Sequence, residues 1–297
     1  MSSTTAGDGG PGGALVVTGA SRGIGAAMAG DGGRAGAVVV TGAGRGIGAA
    51  MAGDGGRAGA VVVTGASRGI GAAMAIELAR RGWTVACLSR SGEMPGDLRD
   101  RDGVSAHVCD VTDEAALSRV FAAVAEAAGG IAGLVNNAGI HRQTPSVQLS
   151  RDELDAVLNV NTVGPVLACR EVHPHLVATG GGLIVNIGSF WDRLGVPRTV
   201  AYCASKAALG AVTRCLAVEW AADGITVVDV APGYISTDMN RDYLASDSGR
   251  GRLARVPSGR AGEPEEVAAF VAGLFDGPVG YLTGSTIYMD GGLGISV

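Results

Sequence analysis

The chain has 297 residues, 51 of them glycine, with 47% apolar residues, 4% aromatics and a formal net charge of -5. A chain of this length buries enough surface to fold without disulfides or a structural metal, and the lack of a Gly-X-Y period excludes collagen. Mild acidity with no Lys/Arg block argues against nucleic acid or an anionic membrane as the main partner and leaves a small molecule.

Glycine is concentrated at the start: 23 of the 51 lie in residues 7–75. Residues 7–29, 30–52 and 53–75 are three copies of one 23-residue unit, and the second and third differ only at Gly44 and Ser67. Such near identity points to duplication of coding sequence rather than to a solenoid, whose repeats diverge with their environments. Each copy holds an apolar run, a glycine turn and the start of a helix. Only the third continues, through Ala72–Arg81 to a C-terminal Gly82. The first two are broken by glycines after four helical residues. The working strand–turn–helix is therefore expected at residues 60–81, with residues 1–56 a flexible or loosely docked extension. The alternative is that Val38–Val40 adds a strand to a sheet edge.

From residue 60 onward strands and helices alternate. Apolar runs at 84–88, 104–108, 131–135, 183–187, 225–230 and 286–289 read as buried strands. Helices are expected at 115–128, capped by Thr112; at 150–177, opened by Ser150 with Glu153 in capping-box spacing and perturbed at Pro165 and Pro174; at 201–222; and at 264–275. Strict alternation with continuous apolar strands implies an α/β fold, a doubly wound parallel sheet of Rossmann type, in one domain over residues 57–297.

Thr64-Gly-Ala-Ser-Arg-Gly-Ile-Gly71 lies between an expected strand and helix. Gly65, Gly69 and Gly71 allow a tight turn and close approach to a pyrophosphate resting on helix N-terminal amides, although a purely structural turn would look the same in isolation. This turn resembles the cofactor loop of the short-chain dehydrogenase/reductase family, and the likeness runs from about Ala60 to Gly292. Asn136-Asn137-Ala138-Gly139 is similar to its NNAG motif. Ser189, followed thirteen residues later by Tyr202-Cys-Ala-Ser-Lys206, is similar to its Ser and YxxxK pattern. Asn161 falls at its catalytic Asn, and Pro232-Gly233, Thr237 and Asp290-Gly-Gly292 match later markers. Within the family the chain looks most like 3-oxoacyl-carrier-protein reductases and related ketoreductases.

The resemblance implies a nicotinamide cofactor held by Gly65, Ser67, Arg68, Gly69, Ile70, Gly71, Asn137, Pro232, Gly233 and Thr237. It also implies an adenine contact at Asp110-Val111. The family's NAD-selecting Asp would fall near Ser89 and is absent; Arg90 beside it and Arg68 in the turn offer two guanidiniums to a 2′-phosphate, which favours NADP(H) over NAD(H).

Tyr202 and Lys206 are four apart on an expected helix and share a face. An ammonium near a phenol favours its phenolate and brings a poor acid toward the operating pH. Lys206 is the only lysine in the chain; every other strong base is Arg. By the family's mechanism Ser189 polarises a carbonyl, Tyr202 donates its proton, Lys206 also bonds the nicotinamide ribose, and Asn161 holds a water in a proton relay.

His141 and Trp191 are candidate substrate contacts, with Phe190 beside them. His173-Pro174-His175 lacks the further ligands a metal needs, and no metal is assigned. Residues 238–260 read as a substrate loop whose Arg241, Arg250, Arg252 and Arg255 could meet an acidic carrier protein or a phosphopantetheine arm, or be solvated. The function expected is NADP(H)-dependent reduction of a carbonyl, or oxidation of a secondary alcohol, on a small molecule that can be carrier-bound. Alternatives are a noncatalytic NADP-binding scaffold or sensor, and an alcohol or sugar dehydrogenase working oxidatively. The resemblance also implies a homotetramer. The five cysteines, Cys87, Cys109, Cys169, Cys203 and Cys215, form no CxxC pair and are expected to be reduced packing residues. With no run of apolar residues long enough for a membrane span and no signal-like start, the expected location is cytoplasmic.

Overall fold

The computed structural model describes residues 59–238 and 240–296, and the backbone of two three-residue strands, Leu15–Val17 and Val38–Val40. The chain divides into two units, 1–56 and 57–297. In the first, Val38–Val40 pairs in parallel with Leu15–Val17 in a two-stranded sheet of its own. The expectation of a flexible or loosely docked extension falls outside the described residues.

In the second unit seven strands form one parallel sheet: β1 (Ala60–Thr64), β2 (Thr84–Ser89), β3 (Val104–Val108), β4 (Ile131–Asn136), β5 (Gly182–Ile187), β6 (Ile225–Pro232) and β7 (Thr286–Met289). Their order is β3-β2-β1-β4-β5-β6-β7. The chain thus runs outward from β1 to one edge, returns to β4, and builds the other half, which puts the reversal of strand order between β1 and β4. In open parallel sheets the ligand crevice opens at this reversal, beyond the carboxyl ends of the strands.

Two helical layers cover the sheet. On one face α1 (Gly69–Arg80) and α8 (Pro264–Phe275) pack Met74, Leu78, Val267 and Val271 on Val61, Val63 and Val85. On the other, α2 (Glu114–Ala128), α4 (Gly164–Ala178) and the end of α5 (Val200–Trp220) bury Phe121, Leu117, Val172 and Leu176 on Ala60, Val62 and Leu134. Alternate residues of β1 feed opposite faces, so the strand has no polar side, as a central parallel strand requires. Each of the large side chains fully buried here contributes about 1.5–3 kcal/mol relative to exposure.

Three local readings are corrected. The cap of α2 is Asp113, whose carboxylate accepts the Ala116 N–H at 3.0 Å; the Thr112 hydroxyl is instead donated to Asp110 Oδ1 at 2.8 Å. The long helix expected at 150–177 is two helices, α3 (Arg151–Leu158) and α4, joined by a π turn at Asn159–Val163. Ser150 does cap α3 by accepting Glu153 N–H at 3.2 Å, but the Glu153 carboxylate accepts from the Thr144 hydroxyl rather than closing a box. Cys215 is exposed, so packing does not explain all five cysteines; Cys87, Cys109 and Cys169 are buried. Residues 238–260 carry two short helices, α6 (Arg241–Ala245) and α7 (Asp247–Leu253).

Candidate active site

The residues nominated from sequence gather at the carboxyl edge of the sheet, around the reversal. Gly65–Arg68 follows β1, Arg90 follows β2, Asp110 and Val111 follow β3, Asn137 follows β4, Ser189 follows β5, and Gly233 and Thr237 follow β6.

The turn after β1 is built for close approach. Gly65 and Gly69 have φ of +64° and +57°, a region that disfavours side chains. A Cβ on Gly71 would overlap the Gly65 carbonyl oxygen and Asn137 Nδ2. The first turn of α1 has no side-chain cap and no acidic residue, so its amides face the crevice without an anion of the protein's own. An uncapped helix start beneath a glycine cradle fits a pyrophosphate. Gly71→Ala is expected to destabilise the fold by about 1–3 kcal/mol through this overlap, read as a lowered melting temperature; an unchanged melt would show that the turn can relax.

Asn137 is tied to this turn. Its backbone N–H and that of Ala138 donate to Thr64 Oγ1 at 3.0 and 3.1 Å, and its Nδ2 donates to the Thr64 and Gly65 carbonyls at 3.0 and 3.1 Å. The side chain clamps β4 to the loop after β1. Across the crevice the Thr237 methyl lies 3.7 Å from where a Gly69 Cβ would sit. Asn240, which the sequence did not single out, positions Thr237 by accepting its N–H at 2.8 Å. Arg68 and Arg90 are both exposed at the rim. The Thr112 N–H, above all, and the nearby Arg90 charge hold the Asp110 carboxyl below its usual value.

Ser189 is buried where β5 ends, and its Oγ accepts the Trp191 N–H at 3.3 Å. Tyr202 and Lys206 face it from the first turns of α5. Burial pushes the Tyr202 phenol up, and a hydrogen bond from Ser189 opposes this. Lys206 lies 5.7 Å from the Tyr202 ring centroid and donates to the Ile187 carbonyl at 2.6 Å. The lowering of Tyr202 expected from Lys206 is not among the effects that act on it here: burial raises the phenol and the Ser189 hydrogen bond is what opposes it. Burial lowers Lys206 itself to about 8.

Asn161 sits in the π turn and is 1% exposed. Its Oδ1 accepts the Ile140 N–H at 2.8 Å, and its Nδ2 donates to Ile140 O at 2.9 Å and Ser205 Oγ at 3.1 Å. Thr162 donates to the Ser205 carbonyl at 3.1 Å. Two consecutive residues of the π turn therefore grip the residue preceding Lys206. Pro165 explains the turn: it has no N–H for the carbonyl four residues earlier, that of Asn161, and its ring crowds that carbonyl out of α geometry. Gly164 follows from packing, since a Cβ there would meet Val111 Cγ2 at 2.9 Å.

Aromatic rings wall the catalytic edge. His141 is 4.8 Å from Tyr202 and 5.4 Å from Trp191 between centroids, and Trp191 is 5.7 Å from Tyr202. Phe190 packs on Tyr234 at 5.2 Å, a ring the sequence reading passed over. Both substrate candidates thus adjoin Tyr202. His173 is elsewhere, its Nε2 3.0 Å from Asp223.

A further polar chain was also missed. Asn136 and Asn186, partners in register on β4 and β5, are joined by Nδ2 to Oδ1 at 2.9 Å, and Asn186 Nδ2 donates to Thr213 Oγ1 at 2.9 Å. Within NNAG the first Asn thus holds strands and the second holds the turn.

The sequence model of the family described as enoyl-(acyl carrier protein) reductase matches residues 65–294. An inactive 2-(S)-hydroxypropyl-CoM dehydrogenase 2 of Xanthobacter autotrophicus is 35% identical over 72% of this chain and 96% of its own. The 3-oxoacyl-(acyl-carrier-protein) reductase FabG of Thermotoga maritima is 37% identical over 72% of this chain and 89% of its own. Among solved structures, a gluconate 5-dehydrogenase from Burkholderia cenocepacia, in complex with NADP and tartrate, superposes with a TM-score of 0.77 at 31% identity, covering 84% of this chain and 98% of that one. Together with the turn after β1 and the Ser189, Tyr202 and Lys206 grouping, these matches place the chain in the short-chain dehydrogenase/reductase family, close to the FabG-like ketoreductases.

Proposed function

We propose that the protein is an NADP(H)-dependent carbonyl reductase of the 3-oxoacyl reductase type, with Ser189, Tyr202, Lys206 and Asn161 as its catalytic group. The observation that carries this reading is the convergence of Ser189, Tyr202 and Lys206 at the carboxyl edge beside the glycine cradle. When bound, the nicotinamide supplies or accepts the hydride. Ser189 Oγ holds the substrate oxygen. The Tyr202 phenol gives that oxygen its proton, and the phenolate left behind is favoured by the Lys206 ammonium. Pro165 leaves the Asn161 carbonyl without an α-helical donor, which suits it to a water that passes protons toward Lys206.

NADP(H) is favoured by Arg68 and Arg90 at the rim, and by the NADP-bound gluconate 5-dehydrogenase neighbour. The 3-oxoacyl reductase type rests on similarity to the Thermotoga enzyme. Arg241 and Arg250 of the substrate loop pair with Asp238 and Asp247, which weakens their claim on a carrier protein; Arg252, 3.3 Å from the Tyr234 hydroxyl, stands nearest the aromatic wall. A tetramer is supported by the exposed Val163, Val166, Val177 and Val218 on α4, α5 and the π turn. Free thiols throughout the described residues suit the cytoplasm.

The test is a panel of ketones, β-ketoacyl thioesters and alcohols with NADPH, NADH and their oxidised forms, run on the full chain and on a variant lacking residues 7–52. Turnover of a carbonyl with NADPH by both is expected. Binding of NADPH with no turnover across the panel would favour a scaffold or sensor, and turnover of alcohols alone an oxidative dehydrogenase.

A further inference from the structure

Asp229 lies in the middle of β6, between Asn186 of β5 and Thr286 of β7 in register, and is 0% exposed. A carboxylate in a central strand is costly, because burial strips its water without restoring it. Two glycines beside it leave room. A Cβ on Gly188, the residue before Ser189, would come within 2.8 Å of Asp229 Oδ2 and closer still to Oδ1. Gly210, one turn beyond Lys206 on the same face of α5, would carry its Cβ 3.8 Å from Oδ2. The Thr286 hydroxyl donates to Oδ2 at 3.2 Å, and the Gly188 backbone N–H also favours the charged form.

Lys206 is buried too, and its hydrogen-bond partner among the described residues, the Ile187 carbonyl, is neutral. A buried ammonium without a counter-charge loses its proton. The charge that acts on Lys206 is that of Asp229, which raises its proton affinity against the larger effect of burial; burial in turn raises Asp229 to about 6, and Lys206 draws it down. Other charged or titratable groups nearby are Asp192, which pushes Asp229 up, Tyr288, whose hydroxyl donates to Asp192 at 2.8 Å, and Arg214, whose guanidinium lies 3.6 Å from the same Gly210 position.

We propose that Asp229 is a positioning residue of the active site, the buried counter-charge that keeps Lys206 in its ammonium form through the gaps left by Gly188 and Gly210. Its part in turnover rests on the reading of Lys206 given above; the coupling between the two charges does not. The alternative is a carboxylate that only braces β6 against β7 through Thr286.

Because Lys206 is the only lysine, protein labelled with ¹⁵N at the lysine side chain gives a single ammonium signal, whose titration midpoint can be followed in the full chain. Asp229→Asn keeps shape and the Thr286 contact while removing charge. The midpoint is expected to fall by at least about one pH unit, a tenfold loss of proton affinity, with the circular dichroism spectrum retained. The alkaline limb of kcat for carbonyl reduction should move down with it while KM changes little. A bracing role would lower kcat at all pH values without moving the limb. An unmoved midpoint in folded Asp229→Asn overturns the proposal. If that variant does not fold, Asp229→Ser, which also removes the charge and is smaller than the carboxylate it replaces, must lower the midpoint as well, and an unmoved midpoint there counts equally against it. A midpoint that moves in a protein turning over no carbonyl would leave the coupling standing and remove the reductase reading.

Discussion

Tyr202→Phe is expected to lower carbonyl turnover by about 10²–10⁴-fold while NADPH still binds. The factor is the usual contribution of a positioned general acid. The ring is what packs against His141 and Trp191, at 4.8 and 5.7 Å between centroids, so Phe preserves the wall and removes only the hydroxyl. Burial holds the phenol protonated, which is the form a reduction consumes. The change should therefore appear in kcat rather than in cofactor affinity, measured by single-turnover kinetics and by NADPH fluorescence. Turnover unchanged in Tyr202→Phe would remove Tyr202 as the proton donor and leave the aromatic wall without its proposed chemistry.

The second large effect tests the proposed preference for NADP(H) through its 2′-phosphate. Arg68 stands at the N-cap position of α1 in extended conformation without capping it through its side chain, and Arg90 follows β2; both are exposed. They frame the rim where the adenosine end of a dinucleotide lies in a sheet of this order. A charge-assisted hydrogen bond contributes about 1.5–3 kcal/mol, or roughly ten- to a hundredfold in affinity. The double variant Arg68→Ser, Arg90→Ala should therefore lose about a hundredfold or more in kcat/KM with NADPH and little with NADH. Raised salt should narrow the preference of the unaltered protein in the same direction, since exposed charges are screened. Equal losses with both cofactors would mean that the arginines hold the turn rather than the phosphate.

What could be read from sequence was whatever depends on spacing along the chain. The glycine turn, the four-residue step from Tyr202 to Lys206 and the alternation of strands and helices are local patterns, and all lie where the pattern put them. What escaped depends on register between distant segments. Asn136 meets Asn186 only because β4 and β5 pair with those two residues opposite, and Asp229 comes near the Lys206 face of α5 only because Gly210 and Gly188 lie against it. One signal was available: an acid inside the apolar run 225–230 had no local explanation. The π turn was half legible, since Pro165 marks a disturbance but the irregular carbonyls lie before it, at Asn159–Val163. Pro174 was overread; α4 continues through it to Ala178. The cap of α2 went to Asp113 rather than Thr112 because the Thr112 hydroxyl already serves Asp110, a choice set by the loop after β3.

The position of β1 has a consequence for how the chain reaches its native state. This strand is flanked on both sides, by β2 and β4, and its partner β4 begins only at Ile131. Its five residues, AVVVT, occur again unchanged at 37–41 and with one substitution at 14–18. Three segments of one polypeptide can thus compete for a single berth with nearly equal edge-to-edge affinity, and strand pairing alone does not choose among them. The choice falls to the residues after the turn. Ile76 and Leu78 extend α1 against β2 and α8, while the other two copies run into glycine. The twelve helical residues downstream, rather than the strand itself, are what set the third copy apart from the other two and agree with its place in the sheet.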